Sequence, residues 1–304
     1  MSLLVTGSIG IDTVHTPTNK AEGVLGGSCA YFAAAAAHHT PVRLVGAVGG
    51  DWPDDHRAVL TGLENVCTDG LEIRPDSQTF AWGGRYFDNM NQRETLFTEL
   101  GVLEEPPPPV PDAYRDSRFV FLANTHPAVQ RELLAQVPNR VLAVADSMDL
   151  WINIAHDDLL ALLQEIDGIV INDSESSLLT EIANPVTAGR KILEMGPSFV
   201  VIKKGEHGCL LIHEDGVATL PAFPCEDHQV VDPTGAGDSF AGGMMGYLAA
   251  QDRTDLGSIQ SALAWGTVTA SFTLESFGLD GLTKTSRAAI DERMDQFRGA
   301  ARIG

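Results

Sequence analysis

The stretch Asp232-Pro-Thr-Gly-Ala-Gly-Asp-Ser-Phe240 decides how this chain reads. It lies between His228-Gln229-Val230-Val231 and the long apolar run that begins Ala241-Gly242-Gly243-Met244. Gly235, Ala236 and Gly237 free the backbone to curl, so that successive N–H groups point at one spot. The dipole of the helix that follows, roughly half a positive charge at its N-terminus, points at the same spot. The result is an anion hole. Asp238 stands in the first turn beside whatever anion binds, placed to take a proton from a hydroxyl as that oxygen attacks phosphorus. Taken alone, the same residues also read as a glycine-rich helix start whose Asp merely favours the dipole.

The rest of the chain narrows the setting. Its 304 residues, 44% hydrophobic, suffice for one large domain, or one domain with an appendage. A net charge of −21 argues against nucleic acid or an anionic membrane surface as partner. Only Lys20, Lys191, Lys203, Lys204 and Lys284 are lysines, a composition expected of a protein working in high salt. The apolar run Ala30 to Ala37 stops at His38-His39, too short to span a bilayer. The start MSLLVTGSIG has no charged segment before its apolar residues, so no signal peptide is expected. Cys29, Cys67, Cys209 and Cys225 form no C-x-x-C pair, which points to a reducing cytoplasm rather than zinc or disulfides.

The organisation follows from the apolar pattern. Residues 1–11 read as a core strand that ends near Asp12, and residues 12–25 as a segment of a lid. Residues 26–70 return to the core, with a helix from Ser28 to His39, the buried strand PVRLVGAVG and a helix near Pro53 to Leu63. Between residues 71 and 104, Leu71 to Ile73, Thr79 to Phe87 and Arg93 to Leu100 alternate, separated by turn residues, as in a small inserted antiparallel sheet. The prolines of Glu104 to Pro111 make a stiff connector. Residues 105–304 alternate apolar strands with helices, among them one near Ala155 to Gln164, and become mostly helical after Gly235. That alternation means an α/β fold with a mostly parallel central sheet covered on both faces.

With these pieces in place, DPTGAGDSF resembles the C-terminal signature of the ribokinase-like (PfkB) family of sugar and nucleoside kinases. Gly7-Ser8-Ile9-Gly10-Ile11-Asp12, Gly26-Gly27, LVGAVGGD, the inserted strands, Asn172-Asp-Ser-Glu175 and Lys203-Lys-Gly-Glu-His-Gly208 occur in that family's order. The resemblance implies a three-layer αβα sandwich with a β-sheet lid, and an ATP-dependent phosphotransferase acting on an alcohol group of a small sugar-type acceptor, a furanose first and a nucleoside as the alternative. It implies that Gly235, Ala236 and Gly237 hold the transferring phosphoryl group and that Asp238 is the base. Asp232 and Thr234 match positions that bind a monovalent cation such as K+, with further ligands from the loop holding Thr273 and Gly278.

The same resemblance places nucleotide and acceptor. Asn172 and Glu175 match an Asn-x-x-Glu element that organises Mg2+ around the nucleotide phosphates. Read locally, they are a capping box, and the two roles are compatible. Lys203, Gly205, Glu206 and Gly208 fall on the nucleotide side; read locally, this turn is a hairpin connection. Asp12 matches the carboxylate that accepts hydrogen bonds from acceptor hydroxyls, Gly26 and Gly27 let the backbone approach the acceptor, and Asn124 is a further acceptor-side residue. One departure stands out: where many members have Asn in Gly-Gly-x-x-x-Asn, this chain has Tyr31, which lacks the amide's paired donor and acceptor. That leaves room for a nucleoside in place of a simple sugar, while Tyr31 as helix packing reads equally well. The lid also implies a homodimer. A binding regulator without turnover and a nicotinamide-dependent dehydrogenase are the competing readings. Gly7-x-x-Gly10 lacks the G-x-G-x-x-G of the latter, and no G-x-x-x-x-G-K-[ST] phosphate loop is present.

Overall fold

A computed structural model describes residues 2–301. The chain runs β1 (Leu3–Thr6), β2 (Gly10–His15), β3 (Lys20–Gly26), α1 (Ser28–Ala36), β4 (Val42–Gly49), α2 (Asp54–Thr61), β5 (Val66–Arg74), β6 (Phe80–Tyr86) and β7 (Arg93–Glu99). It continues through β8 (Phe119–Leu122), α3 (Pro127–Ala135), β9 (Leu142–Ala145), α4 (Asp149–Ile154), α5 (His156–Leu163), β10 (Gly168–Asn172), α6 (Asp173–Thr180), α7 (Pro185–Leu193) and β11 (Phe199–Lys203). The last elements are β12 (Cys209–His213), β13 (Gly216–Leu220), α8 (Ala236–Gln251), α9 (Leu256–Thr273), α10 (Asp280–Thr283) and α11 (Arg287–Ala300).

Nine strands form one sheet in the order β13-β12-β11-β10-β9-β8-β1-β4-β5. Pairing is parallel from β11 to β5 and antiparallel only at the β11-β12-β13 edge. The strands are short apolar runs, because successive side chains serve two different cores. Leu3 and Val5, Phe119 and Phe121, and Phe199 and Val201 face the core shared with α1, α8 and α9. Leu4, Val120, Leu122, Val200 and Ile202 face the opposite core, with Leu133, Leu159 and Ile192 of α3, α5 and α7. This is the three-layer αβα sandwich that the alternation anticipates. Among the described residues, no helix is long and apolar enough to cross a membrane.

A second sheet, in the order β3-β2-β6-β7, stands apart from the first with its own small core of Val14, Phe80, Trp82 and Tyr86. It differs from the expected lid in three ways. First, β1 stops at Thr6, and Asp12 lies inside β2 rather than at the end of the first strand. The chain leaves the large sheet where the Ser8 amide bonds to the Asn124 carbonyl at 3.2 Å, and Gly10 already pairs with Gly26 and Phe80. Second, Leu71 to Ile73 belong to β5, an edge strand of the large sheet, because the long β4 gives them partners at Gly46, Ala47 and Val48. Their alternation is that of a half-covered edge. Third, the small sheet is mixed rather than antiparallel: β2 and β6 run parallel. The helix expected over Ala155 to Gln164 begins at His156, because Ala155 leaves the helical region at φ −132° and separates α4 from α5.

Candidate active site

Parallel strands deliver their carboxyl ends to one edge of the sheet, and α8 starts at that edge. Asn172 and Lys203, the last residues of β10 and β11, stand side by side in register. Asp146 follows β9, its amide bonded to the Leu122 carbonyl at 3.1 Å. The loop before α8 is pinned from both sides. The Leu274 carbonyl accepts the amides of Val231 (2.7 Å) and Asp232 (3.2 Å), and Asp232 Oδ1 accepts the Thr234 amide at 2.8 Å. Gly235 is the N-cap at φ 75°, a conformation that favours glycine. A Cβ there would also lie 2.3 Å from Cδ1 of the Tyr31 ring. Ala236, Gly237 and Asp238 form the first turn; the Ala236 amide is taken by the Pro233 carbonyl at 3.2 Å, and the amides of Gly237 and Asp238 are among the donors that a helix N-terminus leaves without an intrahelical partner. The helix is held from inside by Ser239, which donates to the Gly235 carbonyl at 2.8 Å and accepts from Thr273 Oγ1 at 2.8 Å.

Asp238 is half-buried at this helix mouth. Desolvation raises its pKa, while Lys203, a hydrogen bond from Asp146 and Arg93 pull it back down. Asp146 is buried and held well above the usual carboxyl range by desolvation and by Asp238. The hydrogen bond between them raises Asp146 and lowers Asp238, so Asp146 is the member of the pair that takes up a proton first. The Lys203 ammonium lies against the same turn, 2.8 Å from where a Cβ on Gly237 would sit. Glu175 is also buried, raised by desolvation and lowered chiefly by Lys203. Asn172 and Glu175 form the full capping box: Asn172 Oδ1 accepts the Glu175 amide at 2.7 Å and Glu175 Oε2 accepts the Asn172 amide at 2.8 Å. Three carboxyls thus surround one lysine, a negative excess that a metal-bound nucleotide would meet. Among the described residues, no group of three His, Cys, Asp or Glu side chains forms a metal cage of its own.

The acceptor side is equally enclosed. Asp12 is 3% exposed; burial, then Asp232, pushes its carboxyl up to about 7 while the Gly27 amide bonds to it. Gly26 is required by close approach, since a Cβ there would lie 1.9 Å from Asp12 Oδ2. Asp232 is buried, and desolvation raises it to about 6 against hydrogen bonds from Thr234 and the Gly278 backbone. The Asp232–Thr234 loop and the Thr273–Gly278 segment therefore meet.

Other expected residues are placed differently. The Asn124 amide is taken up by its own neighbours: Oδ1 accepts from Trp151 Nε1 at 2.9 Å, and Nδ2 donates to Met148 Sδ at 3.0 Å. Glu206 is exposed and holds Asn91 of the β6–β7 hairpin, whose Oδ1 lies 2.9 Å from a Cβ built on Gly205. Gly208 (φ 82°) closes this turn, accepting the Lys204 amide at 2.8 Å. Three residues beyond the expected set enter the site. Asp146 could have been found as a carboxylate at the end of an apolar parallel strand, where ligands bind. Tyr86, whose hydroxyl accepts from Thr234 Oγ1 at 3.2 Å, and Arg93, which acts on Asp238 and Glu175, come from the small sheet and carry no local signal.

Comparison with known proteins agrees with this geometry. The pattern described as "pfkB family carbohydrate kinase" matches residues 11–285. The cytidine kinase of Thermococcus kodakarensis is 28% identical over 253 residues, covering 81% of this chain and 88% of that one. Among solved structures, the nucleoside kinase of Methanocaldococcus jannaschii superposes with a TM-score of 0.77 at 19% identity, covering 97% of this chain and 98% of that one. A putative ribokinase II from E. coli, in complex with ATP and Mg2+, gives 0.77 at 17% identity, covering 97% and 99%. The chain belongs to the pfkB family of carbohydrate kinases and is a phosphotransferase acting on a hydroxyl group of a sugar or nucleoside.

Proposed function

We propose that the chain transfers the γ-phosphoryl group of ATP to a hydroxyl of a furanose-bearing acceptor, with a ribonucleoside preferred over a free sugar. ATP lies along Asn172, Lys203, Gly205, Glu206 and Gly208, and the acceptor lies between Asp12 and Asp238. Support for the nucleotide comes from the lysine and first-turn amides that converge on the mouth of α8, and from the ATP and Mg2+ held by the E. coli relative. Support for a nucleoside comes from the cytidine kinase and nucleoside kinase relatives and from Tyr31 in place of Asn. Asn124 acts on the acceptor side indirectly, by fixing Trp151 and Met148.

In the mechanism, Asp238 accepts the proton of the attacking hydroxyl, and the first-turn N–H groups of α8 and the Lys203 ammonium face the charge on the transferring group. Asp146 lowers the pKa of Asp238 through the hydrogen bond they share, and Asp12 orients the acceptor. Mg2+, when bound beside Glu175 and Asn172, neutralises phosphate charge. The Asp232–Thr234 carbonyls and the Thr273–Gly278 segment would hold a monovalent cation, which would stiffen the anion loop. Exposed Phe87, Leu96 and Phe97 on and beside the small sheet favour a homodimer through that sheet, and the unpaired cysteines favour the cytoplasm. The observation that carries this reading is the placing of Asp238 in the first turn of α8 with the Lys203 ammonium against the same turn. ADP release should be measured with ATP and Mg2+ against sugars and nucleosides. Turnover of a nucleoside is expected; no turnover with any acceptor rejects the reading.

A further inference from the structure

Gln130 is a long polar side chain on the buried face of α3, 0% exposed, on the same face as Leu133 and Leu134. An amide in such a place is costly unless it is hydrogen-bonded. Its Nε2 donates to three main-chain carbonyls: Leu122 at 2.9 Å, Asp146 at 3.1 Å and Ala123 at 3.2 Å. Turned the other way, the amide would set its oxygen against three oxygens, so the chemistry fixes its orientation. The three carbonyls come from the carboxyl ends of two neighbouring strands. The parallel register of β8 and β9 ends with Leu122 opposite Ala145. One residue further on, the carbonyls of Ala123 and Asp146 both go to Gln130.

That is where the site opens, because ligands bind in the crevice at the carboxyl ends of parallel strands. Asp146 shares a hydrogen bond with Asp238. Its own amide is held by the Leu122 carbonyl at 3.1 Å, and its carbonyl is held by Gln130. With the backbone fixed on both sides, the direction in which the Asp146 side chain leaves the strand is set. α3 thereby acts on the reacting centre without touching it. We propose that Gln130 is a positioning residue: its amide clamps the parting ends of β8 and β9 and so sets where the Asp146 side chain meets Asp238. The proposal rests on the kinase reading above and concerns geometry alone, since no proton passes through Gln130. Loss of the shared donor frees the strand ends to move, and a misplacement on the order of 1 Å near the chemistry can lower a rate as much as about 10²-fold.

The test is Gln130→Met, which keeps the length of the side chain and removes the donor, made in the wild type and in the Asp146→Ala background. Turnover is measured under saturating ATP and Mg2+ with a nucleoside or sugar that the wild type phosphorylates. The kcat of the folded protein should fall about tenfold in the wild type, and by less than about twofold where the Asp146 side chain is already gone. Nucleotide affinity should stay within about twofold in both. The thermal midpoint should fall equally in both backgrounds, because the hydrogen bonds lost are the same. Gln130→Glu, whose buried carboxyl is held protonated and still donates once, should have a kcat between those of the wild type and Gln130→Met. If Gln130→Met does not fold, the same cycle is run with Gln130→Glu. A kcat loss of equal size with and without the Asp146 side chain, or an unmoved kcat beside a lowered midpoint, overturns the proposal and leaves Gln130 a purely structural residue. Either result leaves the kinase reading intact, because the wild type turns over in both. A wild type that phosphorylates no acceptor rejects that reading and this inference with it.

Discussion

Replacing Asp12 by Asn should make the protein more stable and less active, and the gain should depend on pH. The carboxyl is 3% exposed and held up to about 7 against an ordinary 3.8, mainly by burial and then by Asp232. Each pH unit between those values is worth about 1.4 kcal/mol, so the ionised folded state carries a penalty on the order of 4 kcal/mol. The sign follows from proton binding. The folded protein binds this proton more tightly than the unfolded chain, so wild-type stability falls as pH rises from near 3.8 to about 7 and levels off above. Asn mimics the neutral form and keeps an oxygen for the Gly27 amide, so it escapes that fall. Urea unfolding should place the variant about 1–2 kcal/mol above wild type near pH 5 and about 4 kcal/mol above it near pH 8, with equal m-values. Acceptor KM should rise at the same time, because the group that orients the hydroxyls has lost its charge. A stability gap that does not change with pH, or an Asn variant less stable at about pH 8, refutes the argument.

Three further outcomes follow from the same contacts. Gly26→Ala drives a Cβ to 1.9 Å from Asp12 Oδ2, so acceptor KM should rise about tenfold or more while nucleotide affinity, read by titration, stays within about twofold. Lys203→Met removes the cation that lowers Asp146, Glu175 and Asp238, so the acidic limb of the kcat–pH profile should move to higher pH; an unmoved limb contradicts this. Asp146→Ala removes the hydrogen bond that lowers Asp238 and should shift that limb in the same direction, whereas Asp146→Asn keeps a donor and should leave it in place.

Features carried by neighbouring residues were legible in the sequence, and features made by distant ones were not. DPTGAGDSF announced a helix mouth because glycines, helix start and carboxylate are all local, and α8 begins at Ala236. Asn172-Asp-Ser-Glu175 announced a cap for the same reason, and both of its bonds form. The strands of the large sheet showed in their short apolar runs because both faces are buried. Asp12 was misplaced because only pairing of β2 with β6, in which Asp12 stands opposite Trp82, takes it off the first strand. Leu71 to Ile73 alternate like strands of the small sheet, and only the length of β4 assigns them to the large one. Asp146, Tyr86 and Arg93 are single residues whose partners lie far away in the chain, and no spacing marks them. Asn124 read as an acceptor-side residue because the indole that binds it belongs to α4, a separate element further along the chain.

The central claim, that Asp238 takes the proton of the attacking hydroxyl, is tested most directly by Asp238→Asn under saturating ATP and acceptor. The account predicts a kcat lower by about 10²–10⁴-fold, with nucleotide affinity and unfolding midpoint close to wild type. A variant that turns over at the wild-type rate contradicts it.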